Sequence, residues 1–83
     1  MLPGKDGHVR VRANLDGEVE IRAVVGQTVI PRQLIAVVEG DSQIESLSVR
    51  KTSVVIEILV ESGAEVPQGT ALMVVKEVAE EFE

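Results

Sequence analysis

The side chains able to do chemistry gather in one short stretch, Glu39-Gly40-Asp41-Ser42-Gln43 with Glu45 just beyond it. Three carboxylates so close together could serve a calcium ion. That ion takes about six to eight oxygens, however, and a stretch this short has no loop long enough to supply them. The same carboxylates as general acid and base would need a pocket and a displaced pKa. Ser42 as a nucleophile would need a base within hydrogen-bond reach. The one histidine, His8, stands near the N-terminus and reads as a surface strand residue. With no cysteine there is no thiolate ligand, thiol nucleophile or disulfide. The residues therefore predict no catalytic group and no metal site.

The elements that must position this stretch read as strands. Val9, Val11 and Ala13 alternate with His8, Arg10 and Arg12, and Val19, Ile21 and Ala23 alternate with Glu18, Glu20 and Arg22. Between them Asn14-Leu15-Asp16-Gly17 is a turn, with Gly17 able to take a positive φ. Gly26-Gln27-Thr28 is the next turn, and Pro31-Arg32-Gln33 follows at once. Ile35–Val38 is a short apolar strand ending at Glu39. Gly40, Asp41, Ser42 and Gln43 form a hairpin tip, and Ile44, Leu47 and Val49 open the strand that returns. Val54–Val60 is the most apolar run, Leu72–Val75 the last strand, and 77–83 a tail or short helix.

The chain has 83 residues, enough for one domain with its core over about 8–76. A chain of this size buries only roughly 60–65% of its unfolded surface. Aromatics are 1% of residues, with Phe82 the only one, so the core must be aliphatic. Net charge is −6, which argues against nucleic acid, and the scarcity of aromatics removes base-stacking platforms. No apolar run approaches the ~18–20 residues that span a bilayer, and Met1-Leu-Pro-Gly-Lys lacks a signal peptide's layout. The expected setting is cytoplasmic, without membrane contact. Through Val38 there are five basic and four acidic residues; from Glu39 onward, three basic and ten acidic. The second half reads as a docking surface or as a solvated face with an acidic tail.

The chain repeats itself. Gly26-Gln-Thr-Val29 falls on Gly63-Ala-Glu-Val66 at an offset of 37, which also sets Ile21 on Ile58, Ala23 on Val60, Ile35 on Leu72 and Val38 on Val75. Arg32 falls on Gly69. Gly17 answers Ser53 at 36, so the second copy holds one extra residue, predicted as a β-bulge near Val54–Ile56. Neither half can close a core alone, whereas two halves about a pseudo-twofold axis cover each other.

Taken together, Gly17, Gly26-Gln-Thr-Val29, Arg32-Gln33-Leu34-Ile35 and Val38-Glu39, with Ser53, Gly63-Ala-Glu-Val66 and Gly69-Thr-Ala-Leu72, make the sequence resemble the biotinyl/lipoyl attachment domain family. The resemblance runs from about Val9 to Lys76. It implies an all-β fold: a flattened barrel or sandwich of two four-stranded antiparallel sheets with an internal pseudo-twofold repeat, the barrel-sandwich hybrid. It also implies that cofactor chemistry sits on the hairpin between the copies, at a lysine whose amine is acylated. The fifteen residues from Glu39 through Ser53 match the family's usual spacing and put Ser42 at the lysine position. A hydroxyl cannot form the usual amide, and Lys51 lies nine residues beyond the tip. No cofactor is therefore expected; biotin or lipoate would be expected only with a lysine at 42.

The implied function is a non-enzymatic domain without cofactor, serving protein interaction or assembly. The alternative is a swinging-arm carrier of an acyltransfer or carboxylase complex whose modified lysine is replaced by Ser42. A partner protein or a second copy is expected. If Ile56, Ile58 and Val60 point inward, Val55 and Leu59 point outward as its surface; moving the bulge would exchange some of these assignments. The other cover for that strand is the N-terminal segment, or the tail through Val78 and Phe82.

Overall fold

The computed structural model describes residues 7–78. Among them are eight strands: β1 (His8–Arg12), β2 (Gly17–Ile21), β3 (Thr28–Val29), β4 (Ala36–Glu39), β5 (Ile44–Leu47), β6 (Ser53–Ile58), β7 (Glu65–Val66) and β8 (Ala71–Glu77). They form two four-stranded sheets, ordered β1-β8-β6-β3 and β5-β4-β2-β7, and every strand pair is antiparallel. The result is the flattened sandwich expected, open between the sheets and not a closed barrel. Among the described residues no helix is long and apolar enough to cross a membrane.

The repeat is visible in this order. Replacing β1 to β4 by β5 to β8, and the reverse, turns one sheet's sequence of strands into the other's. Hydrogen bonds follow the same operation. Gln27 N to Val24 O answers Ala64 N to Glu61 O, and Gln33 N to Ile30 O answers Thr70 N to Pro67 O. Gly26 and Gly63 share a left-handed backbone, with φ of 92° and 95°. The core is built from matched positions: Val19 with Val55, Val29 with Val66, Ile35 with Leu72, Ala36 with Met73, and Val38 with Val75, all buried. Inner-face alternation of β-branched and aliphatic residues is what a sandwich interior requires.

Four expectations change. Val55 does not face outward: it is fully buried, 0% exposed. The pairing of β6 with β8 slips between Val55 and Glu57, which leaves Ile56 as the unpaired bulge residue. Up to Val55 the odd positions face inward. The extra residue resets the alternation, so Ile56 and Glu57 face out and Ile58 packs on the core. Gly17 does not take a positive φ. Its requirement is space: a Cβ there would stand 2.4 Å from the Glu39 carbonyl oxygen. The last strand is longer than Leu72–Val75 and takes in Glu77, which is neither tail nor helix; residues 79–83 and Phe82 lie outside the described residues. Leu47 ends β5, and Val49 instead makes an isolated parallel bridge with Pro31.

Candidate functional site

Gly40–Gln43 join β4 to β5. The pair Glu39–Ile44 closes the ladder below them, and Gly40 N donates to Gln43 O at 2.7 Å. Neither Asp41 nor Ser42 has a positive φ, so the bend is not one of the primed hairpin turns that demand it. Asp41, Ser42 and Gln43 are exposed, while Gly40 is half-buried.

The bend is seated on the loop between β1 and β2. A Cβ on Gly40 would stand 2.9 Å from Asp16 O and 3.0 Å from Leu15 Cδ1. With the Gly17 approach to Glu39, two glycines let two backbones meet where side chains would hold them apart. Asn14 clamps the far strand: its backbone N donates to Glu45 Oε1 at 2.9 Å and its Nδ2 to Glu45 Oε2. The Asp16 carboxylate in turn accepts from Gln68 N at 2.7 Å. The tip therefore has a built support, with its own side chains left in solvent.

The chemistry this allows is narrow. Glu45 uses both oxygens on Asn14, so it does not converge with Glu39 and Asp41. Among the described residues no group of three potential metal ligands comes together. His8 belongs to β1, in the other sheet, where it pairs with Lys76, so it brings no base to Ser42. Lys51 precedes β6, and its carbonyl accepts the Ser53 hydroxyl at 2.8 Å; Lys76 lies on β8. Neither is on the hairpin. A shallow groove of about 610 Å³ beside the tip is lined by Asp16, Glu18, Glu39, Asp41 and Glu65, without a cation.

The anticipated surface residues separate. Leu59 is exposed beyond the end of β6, while Val55 is in the core. Sequence reasoning missed several exposed apolar residues, among them two on the outer faces of the sheets. Ile44, beside the tip, is 67% exposed, and Ile56 is 40% exposed. Ile44 opens β5 as expected. Its pairing with Glu39 shows it on the outer side.

Residues 9–75 match the family described as biotin-requiring enzyme. No curated protein matches the sequence. Among solved structures, a single-chain, multi-domain long-chain acyl-CoA carboxylase contains a similar domain. The match covers 94% of this chain and 8% of that one, with a TM-score of 0.81 and 23% identity. At that identity the likeness is one of fold, and the chain spans a small part of that protein's length.

Proposed function

Because the chain belongs to the biotin-requiring enzyme family, we propose that it is a non-catalytic biotinyl/lipoyl-like domain that carries no cofactor and acts through protein contacts as an interaction or assembly module. One observation carries this reading. The hairpin is seated and exposed as an attachment site should be, yet position 42 offers a hydroxyl, and Glu39–Glu45 hold no amine. Amide attachment needs a nucleophilic amine that survives as a stable amide nitrogen. The donor set at the tip does not fit covalent attachment of biotin or lipoate.

The second reading is the carrier domain of an acyltransfer or carboxylase complex, with Ser42 where the modified lysine would stand. The resemblance in fold to a domain of an acyl-CoA carboxylase favours it. Intact mass after co-expression with biotin and lipoate ligases, for the wild-type chain and for Ser42→Lys, separates the two. The expected result is no added mass on wild type. Modification of Ser42→Lys alone would show a competent scaffold silenced by one residue. A cofactor adduct on the wild-type chain would overturn the module reading; an unmodified Ser42→Lys would end the carrier one.

A further inference from the structure

The repeat relates the strand order of the two sheets, and their outer faces differ in the sign of their charge. In the first sheet, β1 pairs with β8 so that Arg10 stands opposite Val74 and His8 opposite Lys76. Val75 and Met73, the neighbours of these residues on β8, are buried. Arg10 and Lys76 therefore point outward, around Ile56 and Val74; Arg12, past the register slip after Val11, is exposed beside them and donates from Nη1 to Gly69 O at 2.9 Å. A groove of about 620 Å³ runs there, lined by His8, Val9, Arg10, Arg12, Ile56, Glu57 and Val74. Glu57 is the one carboxylate lining it among the described residues.

In the second sheet Val19 and Val38 are buried, so Glu18, Glu20, Val37 and Glu39 point outward. Glu18 lies directly opposite Glu39 on one side and Glu65 on the other. Like charges in such a row are destabilising. The one ion pair among the described residues, Arg22 Nε to Glu20 Oε2 at 3.0 Å, leaves that row uncompensated. Ile44 and half-buried Val37 supply apolar surface on this face. Under the repeat Lys76 answers Glu39 and Val74 answers Val37, while Glu20 answers Glu57; the difference in sign between the faces comes from Arg10, Arg12 and Lys76 on one and Glu18, Glu39 and Glu65 on the other.

We infer that the occupant of the cationic face is the acidic face of a second copy of this chain. The Glu65–Glu18–Glu39 row meets Arg10, Arg12 and Lys76, while Ile44 and Val37 meet Ile56 and Val74. Because the faces lie on opposite sides of one molecule, the contact is heterologous. Each copy keeps one free face of each sign, and association proceeds head to tail instead of closing as a dimer. Strands of two to seven residues, about 4.8 Å apart with a rise of about 3.3 Å per residue, give roughly 250–300 Å² per partner. That is well under the ~800 Å² of a stable interface, so the contact is weak. At physiological salt the ~8 Å screening length damps the repulsion between chains of net −6, while charge pairs in contact survive. This contact is independent of what position 42 carries.

Sedimentation equilibrium of the full chain from about 0.05 to about 1 mM tests it, a range set by the weakness of the contact. The weight-average mass is expected to rise past that of a dimer, and to fall to monomer near 1 M salt, where screening shortens to ~3 Å. Arg10→Glu/Arg12→Glu makes both faces acidic, and Glu18→Lys/Glu20→Lys makes the second face cationic. Each variant alone, folded by circular dichroism, is expected to associate at least about tenfold more weakly, and an equimolar mixture to associate again. A wild-type chain monomeric throughout, a plateau at two copies, variants that associate like wild type, or a mixture that stays monomeric would each overturn it.

Discussion

At the scale of single residues, the backbone asks for more than the sequence supplies at Arg32. Its φ is 75°, matching 94° at Gly69, its partner under the repeat. A side chain in the left-handed region costs about 1–2 kcal/mol, and glycine's extra freedom in the unfolded chain returns about 0.5–1 kcal/mol of that. Arg32 is exposed, so little packing is at stake. Arg32→Gly is expected to stabilise by about 0.5–1 kcal/mol, raising the midpoint of thermal unfolding by about 3–6 °C. Gly69→Arg is expected to lower it. A fall in the midpoint for Arg32→Gly would show that the arginine makes compensating contacts. The offset of 37 already set Arg32 on Gly69; the left-handed backbone there could be known only once the turn was closed. Gly17 taught the reverse lesson. A glycine before a strand reads as a turn residue, whereas here the Glu39 carbonyl 2.4 Å from its would-be Cβ is the reason for it.

Among the elements, β6 shows how far periodicity reaches. Counting residues between Gly17 and Gly26 against Ser53 and Gly63 located a bulge, because the second copy is one residue longer. Counting could not say which residue leaves the ladder. The register assigns it to Ile56, and with that Val55 moves from the surface to the core. Deleting Ile56 would join Val55 to Glu57 in regular alternation, the pattern of Val19-Glu20-Ile21 in β2. That variant is expected to fold, within about 1 kcal/mol of wild type by chemical denaturation. Deleting Glu20, where no bulge absorbs the change, turns Ile21 outward and is expected to cost several-fold more, on the order of 3 kcal/mol or above. Equal losses from the two deletions would mean that the bulge is needed for the strand's bend. The two-residue strands β3 and β7 were illegible for a simpler reason: two residues carry no period.

For the molecule as a whole, the pseudo-twofold relates the central hairpin to the place where β8 ends beside the start of β1. Glu77 N donates to Gly7 O at 2.8 Å, and the equivalent bond, Gly40 N to Gln43 O at 2.7 Å, closes the hairpin. Two residues, Asp41 and Ser42, bridge the second pair. Two residues should therefore bridge the first. A circular permutant opened between Asp41 and Ser42, with Glu77 joined to Gly7 by a two-residue linker, is expected to keep the amide spectrum of the parent. It is expected to unfold in one transition within about 8 °C of it, the shift of roughly 1 kcal/mol in a domain this small. A molten spectrum would show that the halves are less interchangeable than their hydrogen bonds. Each sheet takes two strands from each half of the chain, so neither half is a folding unit and the charges of both halves are mixed on every face.

By itself the sequence determined the strand count of the longer elements, the aliphatic core, the duplication and the hydroxyl at position 42. These depend on residue type and local spacing, which the chain states directly. Tertiary structure alone decided which side of β6 faces the core and what seats the hairpin. It also decided where the charges fall: the sequence divides them between first and second half, but the fold sorts them between first and second sheet. Long-range strand pairing sets all three, and pairing partners dozens of residues apart leave no mark in the local pattern of either strand.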